Sequence, residues 1–259
     1  MNNILIPNSF PNLPDTIQKM QLMFAKEDVN MQKLILLLEE EPILCANILA
    51  IVNSPYYGIR NKITSISHAV SLLGITLIRG IIMAVILKKS FPLDLSPYNI
   101  TLSKFDKICT LRMRFLKVWI QDKYYDIDKL SSVAFLMECG KIVASNIIIK
   151  NNLTSDFKRA KKENTILNTE KYILDTNSYE LASLLFKQWL FEDKFTELLK
   201  SVPNPKTDEE KVLNVISNII NVNGILNRKN IEISYLLIEK YNFDIDIFKK
   251  SIDIITKEL

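Results

Sequence analysis

Histidine is almost missing: His68 is the only one in 259 residues. Hydrolytic metal centres on helical scaffolds draw on several imidazoles, so a multi-histidine metal shell is excluded. Glycine is scarce as well, with five residues. Neither a GxxxxGK[ST] loop nor a GxGxxG turn occurs, which removes the phosphate cradles built on those motifs. Three cysteines, Cys45, Cys109 and Cys139, lie far apart with no CxxC pair. That spacing argues against a zinc knuckle and against a disulfide framework, and it fits a reducing cytoplasm. None of the nine prolines falls between Pro97 and Pro203, so few residues in the middle of the chain would interrupt a helix.

Charge of one sign is also lacking. With 33 basic and 29 acidic side chains the formal charge is +4, and the signs are interspersed, so no polyanionic partner and no specific nucleic acid is implied. The densest basic run, Lys158, Arg159, Lys161 and Lys162, has only Phe157 beside it and reads as a solvated helix face. The N-terminal stretch has no basic segment followed by a long apolar one, so no secretory signal is expected. Ala69 to Leu87 is almost long enough to span a bilayer. Arg79 near its centre would cost about 2.5 to 3.5 kcal/mol on insertion scales, and Gly74 reads as a break, so a buried core hairpin is expected instead.

What the chain does contain is apolar residues, 48% of the total, at helical spacing. A first helix is expected from Pro14-Asp15 through TIQKMQLMFAKE, a second over MQKLILLLEEE, and a third opening with Pro42 and stopping at Asn53-Ser54-Pro55. Ser65 can cap a short helix ending at Gly74, followed by Ile75 to Leu87. Phe91 to Thr101 carries two prolines and is the candidate hinge. Leu102 to Lys123 and Ile127 to Lys150 then read as long helices, with Asp126 or Asp128 capping the second. Asn177 and Glu180, and Thr207 and Glu210, have capping-box spacing. A C-terminal pair follows at about 231–241 and 244–257. No repeat period and no persistent strand alternation appears. The fold class expected is all-α, a compact multi-helix bundle.

Side chains able to do chemistry are few. His68 could pair with a cysteine, but no local motif supports a dyad with Cys109 or Cys139. Glu39-Glu40-Glu41 precede Pro42 at a helix end, where solvated charge is commonplace. In the turn Asn53, Ser54, Tyr56, Tyr57 and Gly58, an amide, a hydroxyl and two aromatics converge, which makes it a candidate interaction surface. The same residues could equally satisfy backbone groups at a helix end and pack on the bundle. Arg79, inside an apolar helix, needs a partner or an exit to solvent.

Three segments together, FPNLPDTIQKM, EEEPILCANILAIVNSPYYG and KITSISHAVSLLGITLIRGIIMAV, resemble the HDOD family, degenerate relatives of HD-type phosphohydrolases. Pro11, Leu13, Pro14, Glu41, Pro42, Asn53, Ser54, Tyr57, Gly58, Ile63, Ser65, Ile66, Ala69, Leu73 and Gly74 match the pattern in order. The likeness is good from about 10 to 85 and continues more weakly through AFLMECGKIVAS and YELASLLFKQW to about 200. It implies an HDOD domain over 1–205, with an N-terminal helical part at about 10–90 and a degenerate HD-like part at 101–205. Residues 206–259 would be a C-terminal helical extension packed on it. In catalytic relatives the segment like FLMECGK carries a histidine-aspartate metal pair; here Met137 and Glu138 stand there. Ser178 stands about where a further histidine often occurs. The resemblance therefore implies no catalytic residues, no metal and no cofactor. It implies a cytoplasmic bacterial regulatory module that binds another regulatory or signalling protein, with oligomerisation open. Receiver or cyclic-di-GMP-related domains, frequent companions in the family, are not visible here. The alternative is a divergent metal-dependent phosphohydrolase or cyclic-dinucleotide phosphodiesterase using Glu138 and Asp175 with a hard cation. Membrane association through Ile75 to Leu87 ranks last.

Overall fold

Helix caps account for much of the architecture. In the computed structural model, which describes residues 10–24, 29–53, 61–121, 124–257 and 259, the first helix is α1 (Asp15–Phe24). Asn30 caps α2 (Met31–Glu39), its side chain accepting from the Lys33 N–H, and Pro42 opens α3 (Pro42–Val52) from the first turn. Ser65 accepts from the His68 N–H at the start of α4 (Ile66–Leu73). Gly74, at φ 75°, both ends α4 and begins α5 (Ile75–Ser90). That left-handed value is open to glycine without the Cβ clash other residues suffer. The apolar stretch from Ala69 to Leu87 is thus two helices, and α5 is buried along most of its length from Leu77 to Leu87.

A 3-10 turn at Ser96–Tyr98 leads into α6 (Leu102–Trp119), capped by Thr101. The long helix expected over Ile127 to Lys150 is instead two, α7 (Ile127–Leu136), capped by Asp126, and α8 (Gly140–Lys150). Met137, Glu138 and Cys139 form a tight turn between them, held by the Cys139 N–H to the Leu136 carbonyl and the Lys141 N–H to that of Glu138. This region has the length and apolarity of a membrane span, yet 89% of its most apolar 18 residues are buried inside the protein. Periodicity did not register the turn because both flanking helices are buried almost all round, which erases any stripe.

Next come α9 (Thr154–Ala160), α10 (Ile166–Leu174), α11 (Ser178–Gln188) and α12 (Asp193–Ser201). Asn177 caps α11 as expected. Glu180, however, accepts from the Thr176 hydroxyl at 2.8 Å instead of reaching back to the cap. The capping box at Thr207 and Glu210 is complete and starts α13 (Asp208–Ile219). A short antiparallel pair follows, β1 (Ile220–Asn221) with β2 (Gly224–Ile225), Ile220 opposite Ile225; at two residues each, these strands are too short for alternation to reveal. The chain ends with α14 (Arg228–Tyr241) and α15 (Ile245–Thr256).

The result is a mostly helical bundle around one apolar core. Helix α7 lies at the centre, packed by α5, α6, α12 and α13, and α8 packs on α11. Arg79 finds its partners within this core. Its Nε donates to Gln21 Oε1 at 2.8 Å, Nη2 to the Leu190 carbonyl at 3.1 Å, and Nη1 pairs with Glu192. The guanidinium also sits 4.1 Å from the Phe191 ring centre. One buried arginine thus ties α5 to α1 and to the turn joining α11 and α12, its charge answered at each donor.

Candidate functional site

Asn53 is where the candidate turn meets the described structure. Its amide donates to the Leu49 carbonyl at 2.8 Å and to the Ile63 carbonyl at 2.7 Å, and its oxygen accepts from the Ile63 N–H at 2.8 Å. This is a clamp closing the end of α3 onto the segment just before α4, so Asn53 holds the fold. Ser54, Tyr56, Tyr57 and Gly58 lie outside the described residues.

The second sequence-derived set converges on a buried ion cluster. Met137 is fully buried and apolar, whereas Glu138, 1% exposed, projects from the turn into a polar pocket of side chains. Arg112 of α6, 0% exposed, places Nη1 2.7 Å from Glu138 Oε1, close in distance though off the hydrogen-bond direction. Lys141 sits one turn along, at the i,i+3 spacing that brings helical neighbours together, with Nζ 3.1 Å from Glu138. The same ammonium donates to Ser178 Oγ at 3.3 Å. Beyond it, Glu170 accepts the Tyr98 hydroxyl and the Ser178 N–H, each at 2.8 Å.

Gly140 makes the cluster possible. A Cβ there would lie 1.7 Å from the Ser178 carbonyl oxygen, so only glycine lets α8 approach the start of α11 closely enough for Lys141 to reach Ser178. Arg112 also works in a second direction. Its Nε donates to the Ile220 carbonyl at 2.7 Å and Nη2 to that of Ser217 at 3.4 Å, satisfying acceptors that the end of α13 leaves open.

Burial sets the chemistry of these groups. Desolvation pushes the Glu138 carboxyl up, but Arg112 and Lys141 together hold it below the usual carboxylate range. Desolvation likewise opposes the Lys141 ammonium, and Glu138 and Glu170 overcome it, raising this lysine above its ordinary value. Glu170 is raised by burial, against the counter-pull of Lys141, and burial followed by Glu170 raises Tyr98 well above its ordinary value. At neutral pH Glu138 is a carboxylate and Lys141 an ammonium, each far from the poised state that general acid or base catalysis needs.

A polar cavity of about 290 Å³ adjoins the cluster, bounded by Glu138, Lys141, Glu170 and Ser178 on one side and by Asn214 and Asn218 of α13 on the other. The residues do not fit a divalent metal. The Glu138 carboxylate already faces Lys141 and Arg112, Glu170 is taken up by the Tyr98 hydroxyl and the Ser178 N–H, and among the described residues no group of three or more His, Cys, Asp and Glu gathers to hold a cation. Asp175, the other carboxylate considered for a hard-cation site, is exposed at the end of α10 in a left-handed conformation, and the structure does not bring it to Glu138. Nor is there a cysteine-histidine dyad: His68 is exposed on α4 while Cys109 and Cys139 are buried.

Sequence reasoning did not single out Arg112, Lys141, Glu170 or Tyr98. A signal for Arg112 existed: it interrupts the stripe Phe105, Ile108, Cys109, Leu116, all of which are buried. Lys141 was legible only through its spacing from Glu138. Glu170 and Tyr98 come from distant segments, and their meeting depends on tertiary packing alone.

The HDOD domain family matches residues 10–205, and the chain belongs to this family. No curated protein matches the chain. Among solved structures, a virulence factor of Campylobacter jejuni subsp. jejuni is 25% identical, with TM-score 0.55, over 95% of this chain and 91% of its own. A protein of Marinobacter aquaeolei VT8 named for signal transduction is 17% identical, with TM-score 0.70, over 96% of this chain; this chain spans 57% of its length. A Shewanella amazonensis SB2B protein named for phosphohydrolase activity is 15% identical, with TM-score 0.70, over 96% and 90%. The last two names point to different activities on one architecture, so these likenesses speak for the fold and leave function to the site.

Proposed function

We propose that this protein is a non-catalytic bacterial signal-transduction module that works in the cytoplasm by contacting another regulatory protein. One observation carries the reading: a lysine ammonium and an arginine guanidinium neutralise Glu138, at the position where the resemblance puts a metal pair. Met137, Glu138 and Ser178 are, on this reading, the remnants of an HD-type centre in which protein cations have replaced the metal as the counter-charge. The scaffold is kept and Glu138 is held as a carboxylate between the two cations. Residues 10–90 and 101–205 act as the two parts of the domain. Residues 206–259 are an extension whose helix α13 is tied in through Arg112.

The test is an activity assay on the full chain with generic phosphodiester and phosphomonoester substrates, with Mn²⁺ or Mg²⁺ added, beside elemental analysis of protein purified without chelator. The reading requires no turnover above buffer and no stoichiometric metal. Chelator-sensitive hydrolysis abolished by Glu138→Gln would overturn it.

A further inference from the structure

A second cavity, of about 490 Å³, lies between α3 and α5 on one side and α6, α7 and α8 on the other. It is separate from the ion cluster: Glu138 borders the polar cavity, whereas its neighbour Cys139 lines this one. Leu87, Phe105, Cys109, Phe135, Cys139 and Ile142, all buried, form an apolar floor. Burial keeps the two thiols neutral. Polarity is confined to the rim, and there it is already answered. The Thr110 hydroxyl donates to the Asp106 carbonyl at 3.0 Å, the Lys88 ammonium pairs with the Asp106 carboxylate, Lys107 is engaged as well, and Ser103 is exposed to solvent. Among the described residues, the buried side-chain polar atoms without a hydrogen-bond partner belong to Arg112, Ser131, Glu138 and Ser234. None of these lines this cavity.

We propose that this cavity binds an uncharged aromatic small molecule. Its walls ask an occupant for neither charge nor hydrogen bond. A carboxylate or ammonium entering would give up its hydration and find only rim charges that already answer each other, and a sugar would leave its hydroxyls unpaired against the floor. An uncharged ring loses nothing of this kind and gains from leaving water. The floor also suits a ring in particular. Phe105 and Phe135 offer edge and face contacts, and the Cys109 and Cys139 sulfurs are polarizable neighbours for a π-system. The space is about three times the ~150 Å³ that admits benzene, which leaves room for about two to three rings. Exposed Ala50 and Ser103 border it, so it opens at the surface. An occupant would touch α3 and α5 together with α6, α7 and α8, giving the module a diffusible input independent of the ion cluster.

The experiment titrates the full chain with naphthalene below its solubility limit, and with 1-naphthoate and 1-naphthylmethylammonium as charged analogues of the same ring. Equilibrium dialysis and residue-resolved thiol labelling over hours are the readouts. The expected result is saturable 1:1 naphthalene binding, with both charged analogues weaker by about tenfold or more. At about three times its Kd, naphthalene should slow labelling of Cys109 and Cys139 about fourfold. Cys45, whose thiol donates to the Leu38 carbonyl outside the cavity, should label as before. Ala50→Phe, at an exposed position on the wall, and Ala84→Leu, on the buried side, should each fill the space and weaken naphthalene about tenfold. Lys88→Gln alters only the rim ion pair and should leave the naphthalene affinity within about twofold. Absence of saturable binding, a charged analogue that binds as well as naphthalene, or an affinity unmoved by the filling substitution in a folded variant would each overturn the proposal.

Discussion

Glu138 is the residue on which the polar interior depends. It is buried with two cations against it, and buried pairs of this kind often contribute little net stability beside an apolar replacement, because desolvation of each charge offsets the attraction. Removing one member is a different matter, since Arg112 and Lys141 stay charged and buried after their shared carboxylate is gone, with Glu170 still acting on Lys141. Glu138→Ala should therefore cost about 3–5 kcal/mol, as breaking buried pairs does, measured by urea unfolding. A loss below about 1 kcal/mol would mean that water reaches Arg112 and Lys141. The sequence showed Glu138 but not its answer: FLMECGK displays the carboxylate and Lys141 side by side, whereas Arg112, 26 positions earlier on α6, is brought in only by helix packing. Asn53 is the converse case, where three hydrogen bonds give physical form to the structural half of its double reading.

At the scale of elements, the junction of α7, α8 and α11 is the tightest constraint. Gly140→Ala would put a Cβ against the Ser178 carbonyl, which is backbone and cannot yield as a side chain would. Overpacking commonly costs about 1–3 kcal/mol, and here the loss should be at the upper end, with Lys141 drawn away from Ser178. Thermal unfolding checks this, and an unchanged midpoint would contradict the close approach. Most helices were legible beforehand because caps are local: Ser65, Asp126, Asn177, Thr207 and Asp244 each begin a helix near where sequence placed it. The break at Met137–Cys139 was not legible. It is made by packing on both sides and has neither proline nor glycine until Gly140, which the sequence offered as an ordinary helical residue.

For the whole molecule, the buried acids and thiols set an asymmetric response to pH. Burial raises Cys109 well above its ordinary value and raises Cys139 too. Both stay protonated in the folded chain while the unfolded chain ionises near pH 8.5. Their contribution is thus complete below about pH 8.5 and lost as pH rises, at about 1.4 kcal/mol per pH unit for each group. Tyr98 and Lys141, also raised, add to the loss above about pH 10. On the acid side Glu138 is lowered and Glu170 raised. Falling pH removes the contribution of the first and favours folding through the second, so the two oppose each other. Urea midpoints from pH 7 to 10.5 should fall from about pH 8.5, and Cys109→Ala with Cys139→Ala should make the fall between about pH 8.5 and 10 shallower, leaving the contribution of Cys45, which burial also raises. A flat profile to pH 10 would show that the thiols are not buried as described.

The central claim, that protein cations hold the place of a metal, is tested most directly by the unfolding midpoint of the full chain with and without divalent metal. A ligand bound only by the folded state at one hundred times its Kd would add about 2.7 kcal/mol. The account predicts the same midpoint after exhaustive chelation and with millimolar Mn²⁺, Mg²⁺ or Zn²⁺. A saturable upward shift with any of them, lost in Glu138→Gln, would contradict it.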